Sequence, residues 1–290
     1  MGAPMARNIL RNGHPVFAYD VVAASVQALV GAGATAMSSP RAVAERSDIV
    51  ITMLPDSPDV ERVAGGADGV IAGLKAGSVY VDMSTIDPDT TRRIGALVKA
   101  KGAEMVDSPV GKTADAAVAG TLTLMVGGDA DIVARVRPIL DCMGTDFFHC
   151  GDLGAGQTMK LLNNTLAQAI GIATSEMLVA GTKAGLTLEL MMSVLRTTMA
   201  WNQHLAIGMP KRSLVGNFKP GFMMKLAQKD CRLALAMVDA LGVKAPVSHA
   251  VLAALNEGVA SGLQDHDVGA MLKLREEQAG VTVRLPVAAA

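Results

Sequence analysis

Met1-Gly2-Ala3-Pro4-Met5-Ala6-Arg7-Asn8, an amphipathic run to Gly13-His14-Pro15, and then Val16-Phe17-Ala18-Tyr19-Asp20 decide the fold. A glycine opens a helix, a β-rich run follows it, and an acidic residue ends that run. This is the second half of a dinucleotide-binding βαβ unit. In such a unit the helix N-terminus turns its N–H groups and partial positive charge toward a pyrophosphate. Gly2 stands as the third glycine of G-x-G-x-x-G. The complete unit also needs a first strand and two earlier glycines, so a start about 11 residues upstream is expected. The plainer alternative is a helix that merely happens to precede a strand and an Asp.

The pattern continues outward from this unit. Short β-rich runs at Pro15–Tyr19, Asp48–Leu54, Ser78–Met83, Glu104–Asp107, Leu122–Val126 and Asp146–His149 alternate with helix-period stretches. Those stretches are Ala23–Gly31, Pro40–Arg46, Pro58–Val63, Pro88–Lys101 and Ala130–Met143. Strands and helices alternating at this spacing predict a mostly parallel sheet covered on both faces. Asp87-Pro88 and Asp129-Ala130 read as helix starts, and Gly102 as a helix-terminating glycine.

After Gly156 the strand signals stop. Met159–Ala184 can form one helix of roughly 39 Å at 1.5 Å per residue. Leu188–Thr197, Gly221–Leu241, Pro246–Ser261 and Val268–Ala279 follow it as helices. The expected organisation is an α/β Rossmann-like domain (1–152, without its first strand), a linking helix (153–184) and an all-α domain (185–290). The tail Val281–Ala290 has no periodicity and is expected to fray.

Composition removes several function classes. Half the residues are apolar, 18% are charged and formal net charge is −1, so this is a folded chain without the basic surface that nucleic acid requires. Aromatics are only 3%, so Ala, Leu, Val and the 18 methionines must fill the core. Cys142, Cys150 and Cys231 lack metal-ligand spacing, and the five histidines are scattered; no metal is assigned. No apolar run reaches the roughly 18–20 residues needed to span a bilayer, and no signal peptide is read. A cytoplasmic location and no membrane partner are expected.

Ligands of an open parallel sheet bind beyond the carboxyl ends of its strands. Those ends carry Asp20; Met53-Leu54-Pro55-Asp56; Asp82-Met83-Ser84-Thr85; and Asp107-Ser108-Pro109-Val110-Gly111-Lys112-Thr113. They are expected to open onto one crevice capped by the linking helix. A carboxylate at Asp20 can accept ribose hydroxyls and repel a 2′-phosphate, and no Arg follows it, so NAD is expected over NADP. Asp20 could equally cap the next helix. Met53-Leu54-Pro55 is expected to pack on the cofactor. Thr85 either meets the nicotinamide side or only helps start a helix.

Lys160 precedes Asn163 and Asn164 by three and four residues, which puts the three on one helical face. A lysine beside two amides suits proton transfer to a carbonyl oxygen, provided burial brings it toward working pH. A solvated helical lysine is the bland reading, but buried amides need partners. Lys229-Asp230 reads as a charged helix face. Trp201 and His204 either line a pocket or fill one.

Together these segments resemble the β-hydroxyacid dehydrogenase family. The matching signatures are Met1-Gly2-Ala3-Pro4-Met5-Ala6; Asp82-Met83-Ser84-Thr85; Gly120-Thr121-Leu122-Thr123 with Gly127-Gly128; Gly154-x-Gly156-x-x-x-Lys160-x-x-Asn163-Asn164; and Lys229-Asp230. The resemblance implies a Rossmann-like domain, a long interdomain helix and an all-helical domain used for oligomerisation, as a homodimer or homotetramer. It implies hydride transfer between NAD(P) and a short hydroxy acid. It makes Lys160 the catalytic lysine, with Asn163 and Asn164 orienting the substrate. Met1, Gly2, Asp20, Met53, Leu54, Pro55, Thr85 and Lys229 become cofactor contacts, Lys229 reaching back from the helical domain.

One departure bears on the substrate. Most of the family carries Ser-Gly-Gly after Pro-Val; this chain has Gly111-Lys112-Thr113. That is similar to the 3-sulfolactaldehyde reductase branch, which carries Gly-Arg-Thr. Ser108, Gly111, Lys112 and Thr113 are therefore expected to hold an anionic tail, a sulfonate being answered by a cation, a hydroxyl and backbone N–H groups. Lys112 offers a point charge where Arg would offer a planar fork. Ala167 stands where that branch places a further polar contact. The expected reaction is NADH-dependent reduction of a small anionic semialdehyde, 3-sulfolactaldehyde to 2,3-dihydroxypropane-1-sulfonate. Succinic or tartronate semialdehyde, or 3-hydroxyisobutyrate, is the alternative. A catalytically silent NAD-binding scaffold and an imine reductase are the remaining rivals, and Lys160 speaks against both.

Overall fold

The computed structural model describes residues 1–285 and divides the chain into two compact units, Met1–Leu161 and Leu162–Ala290. In the first unit the order is α1 (Gly2–Arg11), β1 (Phe17–Ala18), α2 (Ala23–Val30), β2 (Thr35–Ala36), α3 (Pro40–Arg46), β3 (Ile49–Thr52), α4 (Ser57–Gly65) and α5 (Val70–Gly73). Then come β4 (Val79–Asp82), α6 (Pro88–Ala100), β5 (Glu104–Asp107), β6 (Val110–Gly111), α7 (Ala114–Ala119), β7 (Leu122–Gly127), α8 (Ala130–Leu140) and β8 (Gly144–Gly151). The unit ends inside α9 (Ala155–Lys183), the helix expected to link the domains.

β1 and β2 form a two-stranded parallel sheet, and the other six strands a second sheet in the order β3-β4-β5-β7-β6, with β8 on β7. β3, β4 and β5 run parallel, as do β7 and β8; β7 runs antiparallel to β5 and to β6. All four residues of β4 are fully buried, which is why its apolar run does not alternate. Val79, Val81 and Val106 join a core with Met5, Ile9, Leu122, Leu124 and Val136 on one face. Tyr80 and Met105 join a core with Val60, Val70, Ile94 and Val98 on the other. A smaller cluster packs Ala3, Ala6 and Leu10 of α1 against Ala18 and Leu29.

Local chemistry sets the helix ends. Asp87 caps α6 through the N–H groups of Asp89 and Thr90, Asp129 caps α8 through that of Asp131, and Gly102 takes φ +74° just past α6. β2, β6, α5 and α7 have no counterpart in the sequence reading. They are two to six residues long, too short to show a hydrophobic period.

The second unit is helical: the rest of α9, then α10 (Leu188–Leu195), α11 (Met209–Lys211), α12 (Met224–Ala240), α13 (Pro246–Gly258) and α14 (Ala270–Ala279). α12 begins three residues later than the expected Gly221, because Gly221 and Phe222 donate their N–H groups to Asp267 Oδ2 at 2.9 and 3.0 Å. The same carboxylate takes the N–H of Gly269, which delays α14. Fraying of the tail is corrected for Val281–Leu285. Val283 is buried, its N–H bonds Glu276 Oε1 at 2.6 Å, Arg284 pairs with Glu276, and Leu285 N–H bonds Leu214 O at 2.9 Å. The remainder of that expectation, 286–290, lies outside the described residues. Among the described residues no helix is long and apolar enough to cross a membrane.

Candidate active site

The first unit gathers most of the strand-end residues singled out from sequence. Met1 is the N-terminal flank of α1, and a Cβ on Gly2 would lie 3.8 Å from Met53 Cβ, an ordinary contact. The start of α1 therefore sits beside the Met53-Leu54-Pro55 segment that follows β3. Asp20, two residues past β1, is exposed and accepts Val22 N–H at 2.8 Å, so it shapes the turn into α2. Helix-start N–H groups, an apolar shelf and a surface carboxylate make a donor set that suits a dinucleotide.

A buried carboxylate holds the next two loops together. Asp82 Oδ1 accepts the hydroxyls of Thr52 (2.8 Å) and Ser84 (2.6 Å). Because Thr52 donates there, Tyr80 OH must donate to Thr52 Oγ1, at 2.8 Å. Because Ser84 donates there, its oxygen accepts Leu54 N–H at 2.9 Å. The Leu54 and Thr85 loops are thus tied to one carboxyl group. Both partners of the Ser84 hydroxyl are protein groups, so its work here is structural.

Lys160 lies six residues into α9 and is only 9% exposed, unlike an ordinary helical lysine. The start of α9 is fixed by Asp107, whose Oδ1 accepts Gly154 N–H at 2.6 Å and Oδ2 accepts Gln157 N–H at 2.7 Å. Both acceptors complement the exposed N–H groups of a helix start. Desolvation, opposed by those two bonds and reinforced by Asp82, pushes the Asp107 carboxyl up to about 6. A folded-state pKa raised above 3.8 contributes stability that is complete below pH 3.8 and lost as pH rises through about 6. Wild type should therefore lose roughly 3 kcal/mol relative to Asp107→Asn across that window. Parallel denaturant melts at pH 4 and 7 check this; a pH-independent difference between the two proteins would refute it.

The segment expected to hold substrate is mixed. Ser108 is fully buried, and among the described residues its Oγ has no hydrogen-bond partner. Gly111 packs against Thr123, where an added Cβ would come within 3.1 Å. Thr113 is exposed at the start of α7. Lys112 adopts φ +73°, a left-handed conformation unusual for a side-chain-bearing residue. Its Nζ bonds Thr121 O and Asp146 Oδ2, both at 2.7 Å, on an exposed surface. Asp146 was not among the residues singled out; its signal, a lone acid in a β-run, is indistinct.

The second unit brings together another group. Asn163 Nδ2 donates to Asn164 Oδ1 at 3.1 Å, and Asn164 Nδ2 donates to Asp230 Oδ2 at 2.6 Å. Lys229 Nζ lies 3.0 Å from Asp230 Oδ1. The two asparagines and Lys229 are thus joined through Asp230, which is 2% exposed and which the sequence reading treated only as part of a charged face. Ala167 contributes main chain: its backbone bonds the ring of His204. Burial lowers the His204 pKa and that bond partly restores it. The imidazole packs over Gly171, whose added Cβ would stand 3.2 Å from it, so His204 fills space between helices.

Residues 1–151 match the family model for the NAD binding domain of 6-phosphogluconate dehydrogenase. Residues 154–275 match that for the NAD-binding region of NADP-dependent 3-hydroxyisobutyrate dehydrogenase. The chain is 38% identical to 2-(hydroxymethyl)glutarate dehydrogenase of Eubacterium barkeri, over 98% of this chain and 94% of that one. It is 36% identical to 3-sulfolactaldehyde reductase of Escherichia coli, over 98% and 96%. The solved structure of 3-hydroxyisobutyrate dehydrogenase from Mycobacterium tuberculosis superposes with a TM-score of 0.87 at 31% identity, covering 94% of this chain and 95% of that one. A Rossmann-like unit, a long helix opening with a buried lysine, a helical unit, and matches of this length together show that the chain belongs to the β-hydroxyacid dehydrogenase family of NAD(P)-dependent oxidoreductases.

Proposed function

We propose that this protein reduces a small anionic semialdehyde with NADH, and that its favoured substrate is 3-sulfolactaldehyde. Burial of Lys160 on a helix start bolted to the ends of β4 and β5 is the observation that carries the reading. The bound nicotinamide supplies the hydride. Lys160 gives a proton to the alkoxide oxygen as it forms, and takes it back when the hydroxy acid is oxidised. Asn163 and Asn164 orient substrate hydroxyls, and Asp230 fixes the amide of Asn164 so that its geometry is set before substrate arrives. The cofactor residues in this reading are Met1, Gly2, Asp20, Met53, Leu54, Pro55, Thr85 and Lys229. NADH is preferred to NADPH because the exposed Asp20 carboxylate repels a 2′-phosphate.

Lys112 and Thr113 anchor the anionic tail, with Ser108 and the Gly111 backbone beside them and Ala167 leaving room rather than adding a contact. In this role Lys112 must exchange Asp146 for the substrate anion. Lys112→Ala should raise KM about tenfold with kcat little changed, the mark of lost uniform binding. Asp146→Asn should lower KM a few-fold, by removing the competing carboxylate. Saturation curves for both variants check this; a purely kcat effect of Lys112→Ala would end the anchoring role.

A carboxylate semialdehyde is the second reading, favoured by the similarity to 2-(hydroxymethyl)glutarate dehydrogenase and by a lysine where a bidentate arginine would suit a sulfonate better. Steady-state kinetics with sulfonate and carboxylate aldehydes, each with NADH and NADPH, separates the two readings. The protein is further inferred to act as a homodimer or homotetramer, since Met159, Leu162, Leu166, Ile170 and Met177 leave an apolar stripe exposed along α9. A cytoplasmic location accords with three free cysteines.

A further inference from the structure

Gln157 is fully buried in the first turns of α9, where alanine would serve the helix better and cost no desolvation. Its amide is committed elsewhere. Oε1 accepts Ile86 N–H at 3.1 Å, and Nε2 donates to Ser84 O at 2.9 Å. These are the two peptide groups that flank Thr85. One side chain therefore grips the main chain before and after Thr85, while its own N–H is held by Asp107. Lys160 lies three residues further along the same helix, on the same face.

The joint is tight from the other side as well. A Cβ on Gly156 would overlap Met125 O and stand 2.7 Å from Asp107 Oδ2, and a Cβ on Gly127 would overlap Asp107 Oδ1. Asp107 fixes the helix start to β5 but leaves rotation about that point. Gln157 supplies a second attachment, to the loop after β4, that is not collinear with the first. Two attachments, one on β5 and one on the loop after β4, remove the remaining freedom.

We propose that Gln157 is a positioning residue: by clamping both peptide groups around Thr85 it sets the separation between the Thr85 loop and Lys160. The clamp acts in the reaction through Lys160 and so rests on the proton-donor reading given above. Displacing reacting groups by about 1 Å costs on the order of 10²-fold in rate without a matching loss in binding.

Gln157→Met keeps length and apolar volume and removes both hydrogen bonds. Its kcat, normalised to NADH-binding sites titrated by fluorescence, should fall roughly 10- to 100-fold, with aldehyde KM and NADH Kd within about three-fold of wild type. Lys160→Ala is measured alongside. If that variant loses turnover while Gln157→Met stays within about two-fold of wild type, the clamp is refuted and the proton-donor reading stands. If Lys160→Ala turns over normally, the proton-donor reading fails, and the clamp with it. A loss in Gln157→Met that is matched by loss of NADH affinity refutes positioning. If neither Gln157→Met nor Gln157→Leu binds NADH, the residue serves folding and the proposal falls.

Discussion

Replacing Lys160 with alanine should lower kcat by about 10²–10⁴-fold and leave NADH binding close to wild type. The helix is not at risk, since alanine is the best helix former and Asp107 and Gln157 hold the start of α9. What is removed is the one ammonium that this reading gives to the carbonyl oxygen. Without it the alkoxide must take its proton from water, while the hydride donor is unaffected. Lys160→Arg should be nearly as inactive, because a guanidinium stays protonated at any working pH and cannot cycle a proton. Circular dichroism, NADH fluorescence titration and turnover on one preparation test the separation. Turnover near wild type in the alanine variant would remove Lys160 from the mechanism and with it the enzymatic role proposed for this face of α9.

Gly156→Ala should cost about 3 kcal/mol and lower the melting temperature by roughly 6–12 °C. The argument is steric and does not invoke backbone strain. An added methyl would overlap the Met125 carbonyl oxygen and crowd Asp107 Oδ2 and Gly127 N at 2.7 and 3.1 Å. None of the three is the free end of a flexible side chain. Two are main-chain atoms of β7, and the third is a carboxylate already bonded to two helix N–H groups. To make room α9 must rise off the sheet, breaking the Asp107 cap and the Gln157 clamp together. Gly65→Ala is the matched control: among the described residues nothing lies within 4 Å of the added carbon at the end of α4, so stability should hold or rise by up to about 1 kcal/mol. Thermal melts of both variants decide the matter. Equal, small shifts would mean that the α9 joint is looser than its packing indicates.

The strand ends were legible because a parallel strand buried on both faces, such as Val79–Asp82, must be a short apolar run, and the residues expected to face a ligand follow immediately. Lys160, Asn163 and Asn164 were legible as a group because helical periodicity alone puts them on one face. Other features left no such trace. Asp107, Gln157 and Asp230 matter through partners 47, 71 and 66 residues away, and no local pattern announces a bond of that span. The late start of α12 was hidden for the same reason, since Asp267 competes for its first N–H groups from the far end of the unit. The ordered Val281–Leu285 segment is likewise held by Glu276 and Leu214, not by any periodicity of its own.

The amino-acid order by itself therefore determined the class of fold, the family and the lysine to which the proposed chemistry is assigned, because hydrophobic period, helix caps and motif spacing are properties of neighbours along the chain. Only the tertiary structure decided which carboxylate holds α9, that Gln157 grips both sides of Thr85, and that Lys112 rests on Asp146. Those outcomes depend on which buried polar groups find partners once distant segments meet. A buried amide or carboxylate must be satisfied somewhere, but the sequence does not say by whom.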